Sequence, residues 1–332
     1  RLVQFAQVIA PALARFRPSA DAGAVFEAQR DRLVRELSSF ASAPPLQQAG
    51  YWAGLATSSP SFSLDQLASE LRGLTAADLD VFAQQLLGRE PLFGLALCQG
   101  NLRAQEADQI IAAFDGSLRF RPLPAAGFPD PAVVQVPACP AGPGCILARD
   151  ALDAAEESSG LEVVFQGGSC RARDGAAGRQ RWALVQVLAQ ALSASFYNEL
   201  RTRQQLGYIV ACLADKREGV VRLVFLLQGA ALGPAGMLGR VDEFLRGARR
   251  ELASRPAREI EALAAGLAEA RLQRSSSLVD AVDISWVEIR TLEFQWRRAA
   301  EEAAALRAVR REELLAAFDL LVAEGGAERR RP

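Results

Sequence analysis

The stretch Phe196–Val210, FYNELRTRQQLGYIV, decides the reading of this chain. An amphipathic helix runs into it, with Trp182, Val185, Leu188, Ala189, Leu192 and Phe196 on one face, and an apolar strand, YIVACL, runs out of it. Arg201 and Tyr208 sit at the join. A guanidinium is always charged and offers five N–H donors, whereas a phenol offers one neutral donor. Two such donors converging on one point can hold a carbonyl oxygen and stabilise an oxyanion as it forms. A structural reading stands beside this one. Arg201 lies near a helix C-terminus, where a cation favours the helix dipole by about 0.3–1 kcal/mol, and Tyr208 reads equally as a half-buried strand residue. From the residues alone the structural reading is favoured.

Downstream, VVRLVFLLQ forms a second apolar strand, separated from the first by a polar loop expected at Ala214–Gly219. Both strands are too apolar for one face to lie in water, so covering layers are expected. Upstream, Leu161–Gln166 reads as a strand and Cys145–Arg149 as a shorter one, with an acidic turn at Asp150–Ser159 between them. Beyond Gly233-Pro234, helices are expected through Val241–Leu252, Ile260–Arg274, Leu278–Trp296 and Ala300–Val322. Arg329-Arg330-Arg331 reads as a solvated tail or as the cut end of a fragment.

The first 120 or so residues are helical in pattern. Helices are expected at 1–16 and 24–41, through Tyr51, Trp52 and Leu55, at Leu64–Leu71 after Ser63, and at Ala76–Leu87 after Thr75 with Asp78 closing a capping box. Pro91 opens LFGLALCQG, read as one buried strand, and Asn101 is placed as cap of the helix through Ile110, Ile111 and Phe114. A lone strand makes no sheet, so its partners are expected upstream of Arg1 or in another chain. The chain opens on Arg1, already in a helical pattern, and reads as a fragment or a processed product; no signal peptide can be sought. The compartment stays open between cytoplasm and periplasm, the cytoplasm favoured. The Pro- and Gly-rich run at 121–145, with an edge strand at Val133–Val136, is the expected boundary. The similar order of elements on its two sides suggests a duplicated α+β unit.

Composition removes whole classes of chemistry. The chain contains no histidine, which excludes Ser-His-Asp and Cys-His catalysis, a histidine general base and HExxH-type zinc sites. Five cysteines form no CxxC pair, so zinc held by this chain would need cysteine and carboxylate alone. Cys98 and Cys212 lie in apolar runs and read as small buried hydrophobes. A net charge of −1 gives no cationic field for nucleic acid or an anionic membrane, and no apolar run approaches the roughly 18 residues of a transmembrane helix. All but one of the 38 basic residues, Lys216, are arginine.

The motif F-Y-N-E-L-R-T-R-Q-Q-L-G-Y-I-V resembles the signature of the inverse-zincin metallopeptidases of the insulysin and pitrilysin type, in their C-terminal half. The resemblance runs on through the Gly100-Asn101 step, the hairpin to Phe225-Leu226-Leu227-Gln228 and the terminal helices. It implies an α+β fold of two homologous α/β-roll domains: a third-type roll at 1–121 lacking its first strands, a linker at 122–142, a fourth-type roll at 143–326 and a tail at 327–332. It implies further that zinc and the catalytic glutamate belong to an N-terminal half, in the same polypeptide or a partner, and that the substrate is a peptide in an enclosed chamber. Arg201 and Tyr208 match the residues that bind the scissile carbonyl and its oxyanion. Tyr197 matches a residue lining the pocket after the cleaved bond. This chain would hold no metal and be inactive alone. Within the family, Tyr208–Cys212 and the short hairpin resemble the branch that trims the precursor peptide of pyrroloquinoline quinone, and a general oligopeptide-degrading enzyme of the pitrilysin kind is equally open. The alternative is a non-catalytic scaffold or core subunit using the same fold for assembly or peptide capture.

Overall fold

The computed structural model describes residues 1–17, 23–89, 93–121, 124, 127–128, 132–133, 136, 138–139 and 144–331. Most of the expected linker at 122–142 therefore lies outside the described residues. In chain order, α1 (Leu2–Ala14), α2 (Gly23–Ser38), α3 (Pro45–Thr57), α4 (Leu64–Gly73), α5 (Ala76–Gln84) and α6 (Ala104–Leu118) come first, with the short strands β1 (Ser58–Ser59) and β2 (Ala132–Val133) pairing antiparallel. Then follow β3 (Ser159–Ser169), α7 (Gly175–Tyr197), β4 (Ile209–Arg217), β5 (Val220–Gly229), α8 (Pro234–Ser254), α9 (Ala257–Leu272), α10 (Leu278–Arg290), α11 (Arg298–Ala308) and α12 (Arg311–Leu321). The fold is α+β.

Packing groups these elements into two compact units that interleave along the chain. Arg1–Ser39, Phe62–Asp130 and Ser275–Phe294 form one; Phe40–Ser61, Pro131–Arg274 and Gln295–Pro332 form the other. A linear division at 122–142 into two roll repeats stands as a proposal.

Helices are the regular elements of the first unit among its described residues. Ala6 and Ala10 are buried on α1, which packs against α6. The expected caps form as the side chains require. Ser63 Oγ accepts from the Gln66 N–H at 3.1 Å while Gln66 Oε1 accepts from the Ser63 N–H at 2.8 Å, and Thr75 and Asp78 repeat the exchange at 3.3 and 2.8 Å. Two expectations fail here. Of the run read as a buried strand, the described residues 93–99 join no ladder among the described residues. The cap of α6 is Arg103, not Asn101; the Glu106 carboxylate accepts from the Arg103 N–H at 2.9 Å.

The second unit is built on an antiparallel sheet of order β3-β5-β4. One face carries Val163, Phe165, Val210, Cys212, Leu223, Phe225 and Leu227, all buried with α7, α8 and α12. Phe225 meets Phe165 and Phe196 edge-on, with centroids 6.1 and 5.0 Å apart, and Phe196 meets Phe244 at 5.1 Å. Burial pushes the Cys212 thiol far up, in keeping with a small buried hydrophobe. The other face carries Gly160, Glu162, Gln166, Asp215, Arg222 and Gln228, and α3 lies over part of it. Gly160 permits that approach: a Cβ there would stand 2.3 Å from the Leu46 nitrogen. Arg222 is held in a fork by Asp215, with Nε to Oδ1 at 2.6 Å, and lies 3.7 Å from Glu162, whose carboxyl burial pushes up despite that guanidinium.

Several local readings are corrected. The polar loop at Ala214–Gly219 is mostly strand: pairing runs to Arg217↔Val220, and the turn is only Glu218-Gly219, both at positive φ (47° and 78°) as a two-residue hairpin of this hand requires. Cys145–Arg149 is irregular. The helix expected to Trp296 ends at Arg290, and Ala300–Val322 is two helices, broken where Val309 turns extended and buries its side chain. The arginine tail is not solvated. The carbonyls of Arg329, Arg330 and Arg331 accept from the N–H groups of Cys139, Gln166 and Cys145, both Arg329 and Arg331 are buried over the Phe165 ring, and Arg331 pairs with Asp242 at 2.8 Å.

Candidate functional site

Helix α7 delivers the motif. Phe196 and Leu200 are fully buried and fix the end of the helix against the sheet. The helix then widens into a π-turn at Asn198–Arg203. The Gln204 N–H donates to the Glu199 carbonyl and the Leu206 N–H to the Leu200 carbonyl, both at 3.0 Å, and Gln205 takes φ +53°. These bonds satisfy carbonyls that a helix end leaves without partners and turn the chain into β4. π-Turns inside helices concentrate at functional positions.

Arg201 projects from this turn, half-buried, and one guanidinium nitrogen donates to the Gly207 carbonyl. Gly207 immediately precedes Tyr208, so the cation is tied to the backbone that carries the phenol. The Tyr208 N–H donates to the Gln228 carbonyl at 2.9 Å, while its side chain stays 57% exposed with the hydroxyl 2.5 Å from Gln228 Nε2. Tyr197, the last residue of α7, is 47% exposed. Arg201 and Tyr208 are thus brought together through one turn, and Tyr197 stands one residue before it. A cavity of about 480 Å³ lies beside the turn, lined by Asn198, Glu199, Gln204, Glu243, Phe244 and Glu251 among others; none of Tyr197, Arg201 and Tyr208 lines it.

The π-turn ends at Arg203, four residues before Gly207, so Gly207 does not stop the helix. Its task is close approach. A Cβ at 207 would lie 2.2 Å from the Gln228 carbonyl oxygen. Gly207→Ala is therefore expected to destabilise the second unit by about 1–3 kcal/mol, the usual cost of forced overpacking, and urea unfolding measures it. An unchanged midpoint would show that the two backbones part without cost. Gln228 is the residue that sequence reading missed. It sits 20 residues beyond Tyr208, and only strand register places it there.

The described residues offer no fit for zinc. The chain lacks histidine, and among the described residues no group of three or more cysteine, aspartate or glutamate side chains could hold a metal ion. No helix among them is long and apolar enough to cross a membrane.

With this geometry in view, residues 187–286 match the family model described as PQQ synthase PqqF-like, C-terminal lobe domain 4. The chain is 26% identical over 270 residues to a nardilysin-like protein of Arabidopsis thaliana, covering 81% of this chain and 26% of the relative. It is 24% identical over 302 residues to the insulin-degrading enzyme of Homo sapiens, covering 90% of this chain and 28% of that enzyme. Among solved structures it is similar to pitrilysin, with TM-score 0.76 and 16% identity over 100% of this chain and 33% of that one. It is also similar to a peptidase M16 inactive domain from Pseudomonas fluorescens, with TM-score 0.64 and 16% identity over 97% and 72% of the two chains. Over most of its length the chain is thus similar to peptidases of the insulysin and pitrilysin type, and residues 187–286 are similar to a C-terminal lobe domain of that kind. It spans about a quarter to a third of the length of the curated relatives it matches.

Proposed function

We propose that this chain is the substrate-binding C-terminal half of a zinc metalloendopeptidase. Arg201 and Tyr208 hold the scissile carbonyl and the oxyanion that forms from it, and Tyr197 lines the pocket after the cleaved bond. The observation that carries the reading is the coupling of Arg201 to Tyr208 through the Gly207 carbonyl, with the phenol ring left half in solvent. Fixed donors outdo mobile ones at a developing charge because they need no reorganisation when it appears. The zinc ligands belong to a separate N-terminal half; among the described residues of this chain no set of side chains fits the metal. The substrate is a peptide small enough for an enclosed chamber. The match to the PqqF-like model supports a precursor peptide as one member of that class.

The test is reconstitution. The purified chain with added zinc is expected to hydrolyse no internally quenched peptide, and the complete enzyme to hydrolyse it in a chelator-sensitive way. Hydrolysis by the isolated chain would overturn the assignment of the metal to another half. A complete enzyme that captures the peptide and never cleaves it would favour a scaffold of the same fold.

A further inference from the structure

We infer that Gln228 is a positioning residue that sets the direction of the Tyr208 hydroxyl proton; the inference rests on the role proposed above for Tyr208. Gln228 is 1% exposed on β5, and its side-chain amide makes three hydrogen bonds. Oε1 accepts from the Leu46 N–H at 3.3 Å, at the start of α3. Nε2 faces Ser158 Oγ at 3.2 Å and Tyr208 Oη at 2.5 Å.

The assignment of the two ends of the amide follows from Leu46. A backbone N–H can only donate, so the end facing it is the carbonyl oxygen. The end facing Tyr208 is then the NH₂ group, which can only donate. Tyr208 Oη therefore accepts from Gln228, and its own O–H is left to donate elsewhere. The Tyr208 ring is exposed, so that proton is free for an incoming acceptor such as a carbonyl oxygen. A residue that accepted from Tyr208 would instead consume the proton internally. The chain of command runs from α3 through a buried amide to the candidate site, across 182 residues of sequence.

Gln228→Glu tests this, because a carboxylate still accepts from Leu46 but can only accept from Tyr208 as well. In the complete enzyme we expect kcat to fall at least tenfold with KM within about twofold. Gln228→Glu in a Tyr208→Phe background should then cost nothing further, since no hydroxyl remains to direct. On this chain alone, the tyrosine C–O stretch in the infrared reports whether the phenol accepts or donates. The Tyr208 band, identified by its loss in Tyr208→Phe, should move towards the donor position in Gln228→Glu and the fold should persist by circular dichroism. A band that stays put overturns the inference, as does an equal loss of kcat in the Tyr208→Phe background. If Tyr208→Phe itself keeps full activity while the band moves as expected, the role of Tyr208 fails and the hydrogen-bond direction stands.

Discussion

Arg201→Ala in the complete enzyme is expected to lower kcat/KM about 10²- to 10³-fold, the usual cost of removing one donor from an oxyanion site. Tyr208→Phe, which keeps the ring and deletes only the hydroxyl, is expected to fall in the same range. Both losses should appear mainly in kcat, because each donor is worth most when the carbonyl oxygen has become an anion. The double variant should lose less than the product of the two, since Arg201 and Tyr208 are tied through the same backbone carbonyl and act as one unit. The Arg201 variant also frees the Gly207 carbonyl, and the Tyr208 variant removes an acceptor of the buried Gln228 amide, so both melting temperatures belong beside the kinetics. Wild-type kcat/KM in both single variants would remove the proposed role entirely.

The second large effect is on stability. Phe225→Ala is expected to cost about 3–5 kcal/mol in urea unfolding, as deletion of a fully buried ring does. Phe225 is 0% exposed at the middle of the central strand and touches aromatic rings from β3 and α7 at once. Its loss leaves a hole between the Phe165 and Phe196 rings, which their elements close only by shifting. Phe62, 64% exposed, provides the contrast: Phe62→Ala should change stability by no more than about 0.5 kcal/mol. A Phe225 cost below about 1 kcal/mol would mean that the core relaxes into the space.

These two positions differ in how visible they are before folding. Phe225 stands in an apolar run that announces a buried strand, and Ser63 and Thr75 announce helix starts through side chains three residues away, so local pattern suffices for all three. The charged run Asp215-Lys216-Arg217 misleads because two of its charges are satisfied from outside the strand: Asp215 by Arg222, Lys216 by Glu302 at 2.7 Å and the Trp182 face. Charge on a strand is loop-like only until its partners are known. Arg329 and Arg331 mislead for the same reason, and their burial depends on Phe165 and Asp242, far away in sequence. Within the site, the motif makes Tyr197, Arg201 and Tyr208 legible by resemblance. Gln228 and the close approach at Gly207 are properties of register, which no local spacing encodes.

The seating of α3 against Gly160 has a consequence for how the molecule comes into being. A ribosome releases Pro45–Thr57 more than a hundred residues before β3, and β5 later still. For that interval α3 is a helix of 13 residues with nothing to dock on, too short to persist unaided in water. Its docking must wait for a loop of well over a hundred residues to close, and such non-local closure slows folding far more than it weakens the final state. The tyrosine site, whose amide clamp needs Leu46, is thus among the last features to mature, and a chain stalled before that moment exposes the polar face of its sheet to whatever else is at hand.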